Sequence, residues 1–206
     1  MRESLAAGDR PPDTTNYAKF QTRSPLARFL FDRFYEVLRR MVAELQPESV
    51  LDAGCGEGET LERLHGLLPR EVHGFDNNPA CVEFAAARLP AYRFSTGDVC
   101  HIDHEDNRFN LVLCLEVLEH LADPTWAVHE LVRVSRRDIV VSVPNEPLFR
   151  LTNLARGKYI RRWGDHPEHC QHWSRSSLTA FLTSSVDVVT VESSYPWLIA
   201  HCRKKA

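Results

Sequence analysis

Two carboxylates and an imidazole fall within five consecutive residues of the 206-residue chain: Glu116, Glu119 and His120. On a helical turn, positions i, i+3 and i+4 share one side, so the spacing predicts that the three side chains converge. Adjacent carboxylates repel unless a proton or a cation lies between them. Oxygen donors with one imidazole suit Mg²⁺ or Mn²⁺, and the same set admits Zn²⁺. The plainer reading is a solvated helix start, where the helix dipole favours acidic side chains anyway. Further along, GDHPEHCQHW carries Asp165, His166, Glu168, His169 and His172 around a proline. Three histidines in seven residues are hard to explain as core filling. Two donor sets on separate loops are what a site assembled by tertiary contact requires; the alternative is a histidine-rich surface loop.

A second constellation lies upstream, where the apolar run SVLDA (49–53) ends in a glycine-rich string. Gly54, Gly56 and Gly58 let the backbone turn sharply and approach a ligand without interference from a Cβ. The helix start behind them is electropositive. Asp76 ends the next apolar run, at a position from which one carboxylate can accept both hydroxyl hydrogens of a ribose. A glycine turn alone also fits a tight strand-to-helix connection; with Asp76 it indicates a nucleoside cofactor.

The elements that must position these residues alternate along the chain. PLARFLFDRFYEVLRRMVAEL (25–45) has helical periodicity, SVLDA reads as strand and ETLERLHGLL as helix. EVHGFD (71–76) reads as strand, AYRFSTGD (91–98) as strand and turn, and FNLVLCL (109–115) as a central strand covered on both faces. Helices are predicted at 78–89, 123–135 and 174–185, and strands at 137–144 and 186–193, with a last strand within 194–203. Strands alternating with helices imply an α/β architecture, a parallel sheet with helices on both faces joined by right-handed crossovers. Residues 145–173 exceed the roughly 2 to 6 residues that such a connection needs, and excursions of that kind usually carry function.

The string D-x-G-C-G-x-G, with Asp76 on the next strand and Asp98-Val99 after the third, resembles motif I and its partners in class I S-adenosylmethionine (SAM)-dependent methyltransferases. The resemblance spans about residues 23 to 200. It implies a Rossmann-like, seven-stranded, mostly parallel sheet with one antiparallel strand, and SAM across the carboxyl ends of the first, second and fourth strands. The cofactor set it implies starts with Asp52, Gly54, Cys55 and Gly56, the glycines facing the methionine part. Asp76, followed by Asn77, would hold the ribose hydroxyls, Asp98 the adenine amine beside Val99, and the Leu115 backbone would lie near the methionine amino group. TRSPLARF (22–29) looks like the arm of ubiquinone-pathway O-methyltransferases, in which an arginine before the turn binds the cofactor carboxylate. Arg23 is that candidate, and an exposed basic helix lead is the alternative; Tyr17 and Gln21 could close over the cofactor.

E-x-x-E-H, followed at a distance by a histidine four residues before Trp173, is similar to the metal site of small-RNA 3′-terminal 2′-O-methyltransferases. The ubiquinone-pathway enzymes share its first part. Carried over, the metal ligands are Glu116, Glu119, His120 and His169. The reaction proposed is transfer of the SAM methyl to a hydroxyl of a chelated catechol or vicinal diol; His120 or His172 could take the proton, and His166 and His172, which have no counterpart in that family, stand as acid/base or outer-shell candidates. Three acceptors compete: a small catechol or phenol, a sugar or glycolipid diol, and the terminal ribose of an RNA. A non-catalytic SAM-binding partner subunit is the reading from another class.

Composition narrows these. A net charge of −3 gives no broad basic face for phosphates, which disfavours nucleic acid. The one basic cluster, RGKYIRR (156–162), suits a phosphorylated acceptor, a peripheral membrane contact or a solvated loop. At 43% hydrophobic and 26% charged, the chain suits one globular domain over 23–206, after a flexible polar lead at 1–22. Six scattered cysteines without a CxxC pair disfavour a disulfide framework or zinc knuckle. With no run of about 18 apolar residues and no signal-like start, the expected location is the cytoplasm.

Overall fold

The computed structural model describes residues 24–146 and 170–205. Its first element, α1 (Pro25–Leu45), begins where Ser24 accepts a hydrogen bond from the Ala27 amide and Pro25 occupies the first turn. It buries Phe34, Tyr35, Leu38, Met41 and Val42, which recur at helical spacing along one face. Gln46 stops the helix in a left-handed conformation, its amide returning to the Val42 carbonyl.

There follow β1 (Ser49–Ala53), α2 (Glu59–Leu64), β2 (Glu71–Asp76), α3 (Pro79–Arg88), β3 (Arg93–Thr96) and β4 (Phe109–Leu115). After a 3-10 turn at Leu118–His120 come α4 (Thr125–Val134), β5 (Ser135–Pro144), α5 (Arg175–Thr183), β6 (Val186–Ser194) and β7 (Trp197–Lys204). The predicted elements are present, with two shifts. ETLERLHGLL is α-helical only to Leu64 and tightens into a 3-10 turn at His65–Leu67. β5 begins two residues early, beside an irregularity between Phe109 and Leu111 of β4.

The strands form one seven-stranded sheet in the order β3-β2-β1-β4-β5-β7-β6. β1 pairs parallel with β2 and β4, β2 with β3, and β4 with β5, whereas β7 runs antiparallel to both β5 and β6. This is the arrangement that the methyltransferase resemblance implies. One face packs Leu38 of α1 and Leu61 and Leu64 of α2 on Val50, Leu111, Leu113, Val140 and Ile199. The other packs Val128 and Leu131 of α4 and Leu178 and Leu182 of α5 on Leu51, Val112, Val141 and Leu198. β4 therefore lies between two cores, as a continuous apolar strand should. Chain order reverses between β1 and β4, and the crevice outside their carboxyl ends is where such sheets receive ligands.

The flexible lead expected at 1–22, and most of the excursion expected at 145–173, lie outside the described residues. No helix among the described residues is long and apolar enough to cross a membrane.

Candidate functional site

At the carboxyl end of β1, Gly54, Gly56 and Gly58 have φ of 82°, 50° and 79°, a region that side-chain-bearing residues avoid. Gly54 and Cys55 both donate their amides to the Phe75 carbonyl, at 2.8 and 2.9 Å, which folds the loop back onto β2. A Cβ on Gly54 would lie 2.4 Å from Val117 Cγ2, whereas one on Gly56 would meet nothing within 4 Å. Gly54 is thus required by packing, while Gly56 leaves its backbone open to a ligand.

Asp76, ending β2, accepts the Gly56 amide on Oδ2 and the Asn78 amide on Oδ1, each at 2.9 Å. Each carboxylate oxygen retains acceptor capacity, so the side chain can fix the glycine loop and still receive the two hydroxyls of a ribose. Asn77 is exposed beside it, and Asn78 caps α3 through the Ala80 amide. Asp52, one residue before the end of β1, is 2% exposed, and its Oδ2 has no hydrogen-bond partner. Burial, with the nearby Asp76 charge, pushes its carboxyl up to about 7. An orphaned buried carboxylate oxygen under an open glycine loop suits a ligand with cationic groups, and the methionine end of SAM has that chemistry. Cys55 is buried, and desolvation raises its thiol far above the usual range, which makes it inert packing.

After β3, Asp98 is exposed and its Oδ1 accepts the Cys100 amide at 2.9 Å, while Val99 is buried beneath it. Leu115 ends β4 at the same rim. The residues Asp52, Gly54, Gly56, Asp76, Asp98 and Leu115 are therefore carried by strand ends or loops on the carboxyl side of β1 to β4. They fit a SAM-like ligand. Arg23 lies outside the described residues.

The predicted convergence of Glu116, Glu119 and His120 on a helical turn does not form. Glu116 has a φ of 58°, because its amide still bonds the Ser142 carbonyl, at 3.1 Å, before the chain turns. Its Oε1 accepts the Ser142 hydroxyl at 2.9 Å. Only Leu118–His120 is helical, as a 3-10 turn, with Glu119 1% exposed and His120 on the surface. Among the described residues no group of three His, Cys, Asp or Glu side chains is arranged to hold a metal ion. His169 and His166 lie outside the described residues.

The two loops meet through their backbones. The Glu119 carbonyl accepts the amides of Cys170 and Gln171, at 2.7 and 3.1 Å. The Gln171 side chain donates to the carbonyls of Leu121 and Ala122. Trp173, buried against Phe181, gives its carbonyl to the Glu146 amide at 2.7 Å. The exposed His120 and His172 each follow a residue in this junction. Sequence reasoning did not single out Ser142 or Gln171. Ser142 had a signal, as the one hydroxyl inside the apolar run IVVSVP; Gln171 had none.

The profile of the methyltransferase-domain family matches residues 26–185. A probable SAM-dependent methyltransferase of Mycolicibacterium smegmatis is 32% identical over 123 residues, covering 59% of this chain and 48% of that protein. The ubiquinone biosynthesis O-methyltransferase of Alkalilimnicola ehrlichii is 37% identical over 98 residues, covering 44% of this chain and 38% of that protein. The chain thus spans about half or less of the length of these two relatives. Among solved structures, the magnesium protoporphyrin IX methyltransferase of Synechocystis PCC 6803 with bound S-adenosylhomocysteine (SAH) superimposes with a TM-score of 0.70. That match has 17% identity and covers 94% of this chain and 96% of that one. The chain belongs to the methyltransferase-domain family, and its fold is that of the class I SAM-dependent methyltransferases.

Proposed function

We propose that this chain is a SAM-dependent O-methyltransferase whose acceptor is a catechol or vicinal-diol hydroxyl of a small molecule: a natural product, quinone precursor, sugar or glycolipid. One observation carries the cofactor half. The Asp76 carboxylate holds the amide of Gly56, whose outer side is open. The oxygen acceptor is supported by the E-x-x-E-H segment at the end of β4 and by the relative named for ubiquinone O-methylation.

When bound, SAM supplies an electrophilic methyl on a sulfonium, and alignment of the acceptor oxygen behind it provides much of the acceleration. The chain's part is to orient both molecules. Gly54 and Gly56 offer backbone, Asp76 the ribose contact, and Asp98 with Val99 the adenine contact. His120 or His172 takes the proton from the acceptor oxygen. The metal part of the proposal, Mg²⁺ or Mn²⁺ on Glu116, Glu119, His120 and His169, rests on the sequence motif alone. Because the first three side chains do not group, no step is derived through a metal.

The test is transfer of labelled methyl from SAM to a panel of catechols, sugar diols, amines and short RNA 3′ ends, with and without EDTA. Label on a small-molecule oxygen is the expected result. Label only on amines or RNA overturns the acceptor assignment, and calorimetry without SAM binding overturns the enzyme reading. Turnover unchanged by EDTA removes the metal; turnover lost and then restored by Mg²⁺ or Mn²⁺ establishes it.

A further inference from the structure

The loop that carries Asp98 and Val99 has little beneath it on one side. Between the end of β3 and the start of β4, residues 97–108 contain no helix. Under the loop, against β2 and β3, is a cavity of about 250 Å³ lined by His73, Phe75, Arg93 and Ser95 among others. Val99 and Ile102 of the loop are buried in the core, but on the cavity side the loop has fewer packed neighbours to fix its backbone. Polar contacts from α4 add to that anchoring.

Two side chains from the last turns of α4 make them. Glu130 Oε2 accepts the Ile102 amide at 2.8 Å, and Arg133 Nη2 donates to the Ile102 carbonyl at 2.7 Å. Both backbone groups of one residue are therefore held by a single charged pair. Arg133 Nη1 reaches the His104 carbonyl at 2.7 Å and Asp106 at 2.8 Å, and its Nε closes onto Glu130 at 2.6 Å. The planar fork bridges the loop at three points, which a lysine cannot do. Ile102 is buried in the core and pins the same residue from within. From Ile102 the restraint reaches Asp98 in four residues: the His101 amide bonds the Asp98 carbonyl at 3.0 Å, and the Cys100 amide its Oδ1 at 2.9 Å.

We infer that Glu130 and Arg133 are positioning residues for adenine recognition, fixing the Asp98 loop from α4 without touching the cofactor. The inference rests on the reading of Asp98 as the adenine contact. Its signature is base specificity rather than stability. A fixed Asp98 carboxylate accepts the adenine amine and rejects a base with oxygen there; a loosened one discriminates poorly.

The experiment is calorimetric binding of SAH and of S-inosylhomocysteine, in which oxygen replaces the adenine amine. It uses the full chain as wild type, Asp98→Ala, Arg133→Met, Arg133→Lys and Glu130→Gln. Arg137→Met, which removes an ion pair to buried Asp138 elsewhere in the fold, is the stability control. The wild type should prefer SAH, and Asp98→Ala should lose that preference. Arg133→Met and Arg133→Lys should weaken SAH about tenfold while inosyl binding changes little, the scale of one hydrogen bond to a charged group. Arg137→Met should leave the ratio intact. No preference in the wild type, or an undiminished one in Asp98→Ala, overturns the adenine assignment. A preference lost in Asp98→Ala but kept in both Arg133 variants and in Glu130→Gln overturns the positioning role. If Arg133→Met does not fold, the lysine and glutamine variants decide by the same ratio.

Discussion

Asp52→Asn is the substitution whose consequence the structure sets most sharply. The carboxyl is 2% exposed, has one oxygen without a partner, and interacts electrostatically with Tyr35 of α1, Cys55 of the loop, Asp76 of β2 and Cys114 of β4. None of these is cationic. Desolvation first, and the Asp76 charge second, push it up to about 7. Its unfolded value is about 3.9, so the difference is ~3 units, or ~4 kcal/mol at about 1.4 kcal/mol per unit. The sign follows from proton counting. Between about pH 4 and 7 the folded chain holds a proton that the unfolded chain has released, so stability falls as pH rises through that window and levels off above 7. Asparagine copies the neutral form at every pH and removes this term. Urea unfolding followed by tryptophan fluorescence should show Asp52→Asn close to wild type near pH 4 and more stable by up to ~4 kcal/mol at pH 8. Cofactor binding should move oppositely, because a cationic ligand favours the ionised carboxylate. Wild-type affinity for SAM should rise from pH 6 to 8 with release of up to one proton, and that of the asparagine variant should not. A stability difference between the two proteins that stays flat from pH 4 to 8 refutes the buried-carboxylate argument. A flat difference in affinity separately refutes its link to the cofactor.

Two further substitutions test the glycine loop. Gly54→Ala meets both a left-handed backbone and Val117 Cγ2 at 2.4 Å, and should cost about 2–4 kcal/mol in urea unfolding. In a Val117→Ala background the steric part should vanish and about 1–2 kcal/mol of backbone strain remain, a split that fails if the two changes simply add. Asp76→Asn sets an amide donor against the Gly56 or Asn78 amide, and should weaken SAH binding about ten- to a hundredfold by calorimetry. Unchanged affinity would remove Asp76 from the ribose role.

Local signals in the sequence were sufficient wherever the structure is decided locally. Ser24 and Pro25 start α1, Asn78 and Pro79 start α3, and Ser174 starts α5 with a reciprocal capping box, each where its residue type predicts. The three glycines take the left-handed conformations that the string D-x-G-C-G-x-G requires. The comparison fails where pairing between distant strands decides. Read alone, E-V-L-E-H is a helix start. In the fold, the Glu116 amide extends the β4–β5 ladder by one more bond to Ser142, and the chain can turn only by a left-handed step at a residue with a side chain. That step of order 1–2 kcal/mol is held by the ladder bond and by the Ser142 hydroxyl on Glu116, neither visible within a window around Glu116.

The same reasoning separates what side-chain spacing can and cannot say about the loops around the site. Glu119 meets Cys170 and Gln171 through its carbonyl, Glu146 meets Trp173 through its amide, and Asn145 meets Pro196 through its amide. Backbone groups make all of these junctions, so almost any residues at those positions would make them, and no composition or periodicity marks them. They nevertheless decide which side chains can act together. Because residue 170 is drawn to the carbonyl of residue 119, the histidines at 120 and 172 follow the same junction on separate chain segments. The spacing of E-x-x-E-H carried no information about that arrangement. Main-chain bonds join segments far apart in sequence here, and the side chains on them inherit their neighbours from that pairing.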